Sequence, residues 1–185
     1  QHVEITRDIA ERFNKAFKYN VFKLPEPYIP EEVAVILGTD GKRKMSKSLG
    51  NIISIFEDEG LIRKQVYKTY TDPSRVHVND LGHVEGNMVF TYLDLFAKSE
   101  EVEDFKDLYR KGKIADVKLK EFLLRVLIET FQQSRVRYEE LKSNPEKVKK
   151  ILQEGAEKAR NVASQTMREV REIIGLTNKY SFFSY

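Results

Sequence analysis

Two lysines three residues apart stand in the run Lys44-Met45-Ser46-Lys47-Ser48, between a short apolar stretch and a Gly50-Asn51 pair. On a loop this spacing offers two compact ammonium charges, and the hydroxyls of Ser46 and Ser48 with the loop N–H groups add ligands for phosphate oxygens. That is leaving-group chemistry. When a nucleotide is attacked at its α-phosphorus, negative charge builds on the departing pyrophosphate. Cations that meet this charge only as it forms lower the barrier selectively. The competing reading of the loop alone is a basic surface turn closing a hairpin. Gly38, Gly41 and Gly50 flank the run, and Lys42, Arg43, Lys44 and Lys47 repel one another, so a mobile loop is expected without nucleotide.

Other chemistry-bearing residues carry less. Gly38-Thr39-Asp40-Gly41-Lys42 lacks the Walker spacing of a phosphate loop. His2, His77 and His83 have no partner at helical spacing and no cysteine support, so they read as loop or packing residues and no metal site is expected. Glu100, Glu101, Glu103 and Asp104 read as the solvated acidic start of a helix rather than an acid–base pair. A basic excess is more suggestive: residues 111–142 carry eight basic against five acidic side chains, and 145–174 seven against five. Arg135, Arg137, Lys158 and Arg160 are the candidates for contact with a nucleic-acid backbone, against the alternative of a solvated surface laced with i, i+4 pairs.

The elements that must position these groups follow from periodicity and punctuation. Ile5, Ile9, Phe13 and Phe17 fall four apart, an amphipathic helix ending near Tyr19-Asn20. Pro25, Pro27 and Pro30 interrupt, and Val33 to Leu37 then reads as a buried strand leading into the lysine loop. Ile52 to Phe56 reads as a second strand, before a helix capped by Asp58 and running to Tyr70. The Gly- and His-containing stretch from Arg75 to Asn87 marks a boundary between a mixed α/β part and a helical part. Beyond it come short helices over Met88–Lys98 and Glu101–Arg110 and a long one over 116–142. The last helix is capped by Asn144 with Pro145 in its first turn, and it stops at Gly175. Its stripe of Val148, Leu152, Ala156, Ala159, Ala163, Met167, Val170 and Ile174 predicts burial in a compact bundle rather than a two-stranded coiled coil. The aromatic tail 177–185 has no predicted element.

Composition sets looser bounds. A chain of 185 residues with 41% hydrophobic content can bury a core. The net charge of +3, from 32 basic and 29 acidic residues, is too balanced to name a polyanionic partner by itself. Zero cysteines exclude a disulfide framework, a thiolate zinc site and a cysteine-held iron–sulfur cluster, and fit a reducing cytoplasm. No apolar run approaches a membrane span of ~20 residues. The chain opens at Gln1 directly on a helical pattern without an initiator Met, which reads as a piece of a longer protein or a processed product.

The five-residue run matches the second signature of class I aminoacyl-tRNA synthetases. Over nearly its whole length, from Gln1-His2-Val3-Glu4-Ile5-Thr6-Arg7-Asp8 to about Leu176, the chain resembles the carboxy-terminal half of the tryptophanyl-tRNA synthetase family. Further anchors are Asp40-Gly41, Thr71-Asp72-Pro73 and the distal Glu154-Gly155-Ala156-Glu157-Lys158-Ala159-Arg160. The last favours tryptophanyl over tyrosyl enzymes, which are similar through the signature loop but end in a different module.

The resemblance implies a mostly α chain: a helical bundle of the anticodon-binding type, preceded by a small α/β remnant of a class I Rossmann catalytic domain. Residues 1–75 would end the catalytic domain and carry the signature loop 44–48. Residues 76–176 would form the helical domain and 177–185 a tail. The implied activity is ATP-dependent activation of tryptophan to the adenylate and transfer to its tRNA. Lys44 and Lys47 match the catalytic lysines that meet pyrophosphate, Ser46 and Ser48 its hydrogen-bonding hydroxyls, and Met45 and Val35 positions where the backbone meets adenine. ATP would arrive with Mg2+, and no iron–sulfur cluster is expected. The implied partners are tRNA(Trp), ATP and tryptophan, whose pocket would lie mostly upstream of Gln1. The full-length enzyme would be a cytoplasmic homodimer, and the isolated 185 residues inactive. Two alternatives stay open: a tyrosyl-tRNA synthetase piece, and a non-catalytic helical RNA-binding module with a vestigial loop.

Overall fold

The computed structural model describes residues 1–28 and 35–176. Six helices follow one another: α1 His2–Phe17, α2 Glu59–Tyr67, α3 Met88–Phe96, α4 Ser99–Arg110, α5 Asp116–Lys142 and α6 Pro145–Ile173. Contacts divide the chain into two compact units, 30–143 and 1–29 with 144–185.

The larger unit is built around α5. Its faces Leu119, Phe122, Leu123, Val126 and Leu127 pack with Ile62 and Val66 of α2, with Met88, Val89, Phe90 and Leu93 of α3, and with Val102 and Tyr109 of α4. Each such side chain, fully buried, contributes roughly 1.5–3 kcal/mol. Phe105 of α4 stacks on Phe122 of α5 with ring centroids 4.3 Å apart, and Phe90 meets Tyr109 edge-on at 5.2 Å. The helix starts are set by side chains. Asp58 accepts from Leu61 N–H and Asn87 from Val89 N–H, each satisfying one of the orphan donors of a first turn. α2 is shorter than expected, stopping at Tyr67 rather than Tyr70. Thr69 closes it, and Tyr70 turns away to donate its N–H to the Thr39 carbonyl.

The expected strands do not form among the described residues. Residues 33 and 34 lie outside them. Of the rest, Leu37 makes only an isolated antiparallel bridge to Lys44. Ile52 to Phe56 runs through bends and turns. Its Ser54 N–H is taken by the side-chain oxygen of Gln65 at 2.7 Å instead of a neighbouring strand, while Ile53 packs on the helical core. β-branched residues favour extended backbone, but a ladder needs a partner at the right register. The mostly helical expectation holds, without a strand to represent the α/β part.

The stretch from Thr71 to Asn87 is stitched tightly to the helices. Arg75, only 1% exposed at its side chain, donates to the carbonyls of Val78, Asp80 and Ile114 and pairs with Asp116 of α5 at 3.4 Å. Its guanidinium lies 4.4 Å over the Tyr109 ring, whose hydroxyl donates to Asp116 at 2.9 Å. Gly82 lies against that ring so closely that an added Cβ would come within 2.4 Å of it.

In the smaller unit α1 ends on Lys18 in the left-handed conformation, and Phe13 packs against Phe17 and Phe22. Asn14 binds both the carbonyl and the N–H of Phe22, folding the following segment back. α6 begins as expected, with Asn144 accepting from Lys147 N–H and Pro145 at the first position. Its apolar stripe differs from expectation. Only Val170 is buried, Val148 is partly so, and Leu152, Ala156, Ala159, Ala163, Met167 and Ile174 are exposed. The core of the larger unit is closed by α2–α5, and α6 contributes no residue to it. The tail 177–185 lies outside the described residues.

Candidate functional site

The lysine run lies on the returning arm of a tight hairpin in the larger unit. The Gly38 N–H donates to the Arg43 carbonyl at 2.8 Å and Met45 N–H to Ile36 at 3.1 Å, with the Leu37–Lys44 bridge between them. At the turn Asp40 accepts from the backbone N–H groups of Lys42 and Arg43, each at 3.1 Å, and from Arg43 Nε at 3.2 Å. Those backbone donors, Lys42 first, hold its carboxyl at about 2 against the opposing effect of burial, with Asn51 and the Arg43 side chain adding lesser support. Gly41 takes φ +65° here, where a Cβ would also meet the Tyr70 ring.

One side chain ties the two arms together. Asn51, 4% exposed, accepts the Ser46 N–H at 2.8 Å through Oδ1. Its Nδ2 faces Asp40 Oδ2 at 3.2 Å, the Lys44 carbonyl at 3.3 Å and the Arg43 carbonyl at 3.4 Å. Its own carbonyl accepts the Thr39 N–H at 2.9 Å. Gly38 leaves room for this side chain: a Cβ there would fall 2.1 Å from Asn51 Nδ2. The hairpin is joined to the helical core by Tyr92 of α3, whose hydroxyl donates to the Leu37 carbonyl at 2.8 Å; burial, with Asp40 nearby, raises that phenol above its ordinary range.

This frame presents Lys44 and Lys47 to solvent, and among the described residues neither has an acidic partner. Ser46 and Ser48 face each other with hydroxyl oxygens 2.9 Å apart. Met45 turns inward onto the core, and Val35, 67% exposed, precedes the Ile36 carbonyl that receives the Met45 N–H. The hairpin thus brings Val35, Lys44, Met45, Ser46, Lys47 and Ser48 together, two cations and two hydroxyls on one exposed edge with bare backbone beside them. That arrangement can gather the oxygens of a polyphosphate.

The candidates for a nucleic-acid backbone divide between the two units. Arg135 of α5 donates through one nitrogen to the carbonyls of Ile55 and Glu57, the latter at 2.9 Å, and so anchors the segment leaving the signature run. Beside it Phe56 stacks on Tyr138 at 4.9 Å. Arg137 is exposed and stands 3.9 Å from Glu140. Lys158 and Arg160 are exposed on α6, in the other unit. His83 Nδ1 lies 2.8 Å from Asp72, a carboxylate that also accepts from Ser74. Burial would raise the Asp72 carboxyl, but those hydrogen bonds from Ser74 and His83 outweigh it and hold it well below the usual range. Among the described residues no group of three or more His, Cys, Asp or Glu is placed to hold a metal ion, and no helix is long and apolar enough to cross a membrane. Sequence reasoning named the Asp40-Gly41 and Gly50-Asn51 pairs but gave their side chains no role. The signal was there in an Asn three residues after Ser48 and an Asp four residues before Lys44.

The hairpin and helical scaffold have a family counterpart. The model of the family described as tRNA synthetases class I (W and Y) matches residues 1–132. The chain belongs to that family. Within it the chain is similar to tryptophan–tRNA ligases: that of Clostridium longisporum is 43% identical over 176 residues, covering 94% of this chain and 52% of the relative, and that of Treponema pallidum is 41% identical over 177 residues, covering 95% and 52%. Among solved structures, tryptophanyl-tRNA synthetase from Campylobacter jejuni, complexed with ADP and tryptophane, superposes with a TM-score of 0.76 at 38% identity, covering 95% of this chain and 54% of that one. The chain spans about half the length of the curated relatives it matches.

Proposed function

We propose that this chain is the part of a tryptophan–tRNA ligase that meets the leaving pyrophosphate and binds tRNA(Trp). The observation that carries the reading is that Lys44 and Lys47 are exposed on a pinned hairpin with no acidic partner among the described residues, in a chain of the class I W and Y family. In the reaction the tryptophan carboxylate attacks the α-phosphorus of ATP, the bond to the β-phosphate oxygen breaks, and the electron pair leaves on pyrophosphate. Lys44 and Lys47 neutralise that growing charge, Ser46 and Ser48 hydrogen-bond its oxygens, and the backbone at Met45 and Val35 meets the adenine. Mg2+ accompanies ATP through phosphate oxygens rather than a protein cage. Transfer of the tryptophanyl group to tRNA(Trp) follows.

The proposed division has residues 1–75 ending the catalytic domain, with 76–176 the tRNA-binding helical domain and 177–185 a tail. Arg137, Lys158 and Arg160 are exposed cations suited to phosphate contact. Arg135 is proposed beside them, although one of its nitrogens already anchors residues 55 and 57. A cytoplasmic homodimer is the proposed state of the whole enzyme.

The test is tryptophan-dependent exchange of pyrophosphate into ATP. Holding the α-phosphate, the tryptophan carboxylate and the pyrophosphate together is a single geometric requirement, and only pyrophosphate ligands are recognisable in this chain. The 185 residues alone are therefore expected to give no exchange, and the complete ligase tryptophan-dependent exchange with no response to tyrosine. Exchange by the isolated chain, or a tyrosine response, would overturn the reading.

A further inference from the structure

We propose that Asn51 is a positioning residue for pyrophosphate departure, setting the direction of the Lys44 side chain through the backbone on either side of it. This deepens the pyrophosphate reading above and rests on it. Asn51 touches neither lysine's ammonium group. It holds the peptide units around them instead: the Lys44 and Arg43 carbonyls by Nδ2, and the Ser46 N–H by Oδ1. The backbone before Lys44 and after Met45 is therefore gripped by one planar amide, and with both ends of that short arc fixed the Lys44 Cα–Cβ direction is fixed too.

Three further observations point to a built device rather than incidental contact. The amide is nearly inaccessible, at 4% exposure, although it lies beneath an exposed loop. Gly38 has no side chain where a Cβ would overlap Asn51 Nδ2, so the opposite arm is cut away for it. Asp40 then fixes which way the amide faces. Its Oδ2 accepts from Nδ2, while its Oδ1 is occupied by the Lys42 and Arg43 N–H groups, so Oδ1 of Asn51 is left for Ser46. The amide of Asn51 combines a donor for the carbonyls and an acceptor for the N–H in one plane, on a side chain short enough for the gap left by Gly38. A carboxylate would keep the Ser46 bond and face Asp40 with like charge.

The positioning role has a kinetic signature that a merely structural role lacks. If Asn51 acts through Lys44, the loss on removing it belongs to the step in which the lysine meets developing charge. It should vanish when the lysine is already absent. In the complete ligase, single-turnover adenylate formation is measured for Asn51→Ala, Asn51→Asp, Lys44→Ala and the Asn51→Ala/Lys44→Ala pair, with thermal unfolding alongside. Asn51→Ala is expected to lower the rate about tenfold with KM for ATP changed less than about threefold, and to cost less than about threefold more on the Lys44→Ala background. Asn51→Asp keeps volume and the Ser46 bond, so it should fold and lose rate by a similar factor. An unchanged rate in Asn51→Asp, a loss confined to KM, or a full tenfold loss on the Lys44→Ala background would overturn the proposal. If Lys44→Ala by itself leaves the rate unchanged, the pyrophosphate reading falls, an outcome distinct from failure of the clamp alone.

Discussion

Two loops of the larger unit carry positive charge and treat it in opposite ways. Around Arg75 the cation is consumed: three backbone carbonyls, the Asp116 carboxylate and the Tyr109 ring account for its guanidinium, and almost none of it reaches solvent. In the signature hairpin the frame is satisfied by Asp40 and Asn51, and the cations it carries, Lys44 and Lys47, are turned outward with no acidic partner among the described residues. The difference separates a charge that builds the fold from charges kept available. Saturation of donors tells the two apart: Arg75 spends its donors inside the fold, and only the hairpin can offer its charge to a ligand.

The sharpest way to break the comparison is Arg75→Ala. Removing a buried partner leaves three carbonyls and Asp116 Oδ2 without their donor, a loss of about 3 kcal/mol, at the low end for a buried pair because Asp116 keeps the Tyr109 hydroxyl and contact with water. Urea unfolding of the 185-residue chain should register it, while Arg137→Ala, at an exposed pair, should move the midpoint by less than about 0.5 kcal/mol. Equal effects would show that burial at Arg75 confers nothing. Next is Lys44→Ala or Lys47→Ala in the complete ligase. The expected loss in adenylate-formation rate is about a hundredfold, the scale of one preorganised electrostatic contact, with little change in unfolding midpoint. A stability loss without a rate loss would place these lysines with Arg75.

The smallest effect concerns pH. Asp40 titrates at about 2 against an ordinary 3.8 because the folded hairpin favours its charged form. A depressed carboxylate contributes stability that is fully present above the ordinary value and is lost as pH falls through the folded one, so this contribution should fade between about pH 4 and pH 2. Amide shifts of Lys42 and Arg43 followed by NMR should move with a midpoint at about pH 2 in the parent chain and stay flat in Asp40→Asn. A midpoint at the ordinary 3.8 would mean that the Asp40 turn does not form.

The helices were largely legible because their signals are local. The 3.6-residue recurrence of Ile5, Ile9 and Phe13, the Asp58 cap and the Asn144-Pro145 start each act within a few residues, and the structure places α1, α2 and α6 accordingly. Ile52 to Phe56 was misleading because β-branching reports a local preference, whereas a ladder depends on a distant partner, and here Gln65 took the donor instead. The α6 stripe has helical period, but period does not say what will cover it. The lysine run stood out as a word, while its clamp did not. A buried Asn and a buried Arg look like ordinary loop residues until the fold brings Asp40 or Asp116 to them, and Arg135 finds its carbonyls some eighty positions back along the chain.

The Tyr92 hydroxyl on the Leu37 carbonyl has a consequence for how the hairpin moves. Opening the hairpin at its root would strand a phenol inside the helical core, so the root and the helices must share one fate in hydrogen exchange, its amides as slow as those of α3. Between Ser46 and Asn51 the hydrogen bonds among the described residues are the loop's own, Gly50 N–H to the Lys47 carbonyl and Ser46 to Ser48. The run is thus a short arc fastened at both feet, with Lys44 in the fastened part and Lys47 on the span between Ser46 and Asn51.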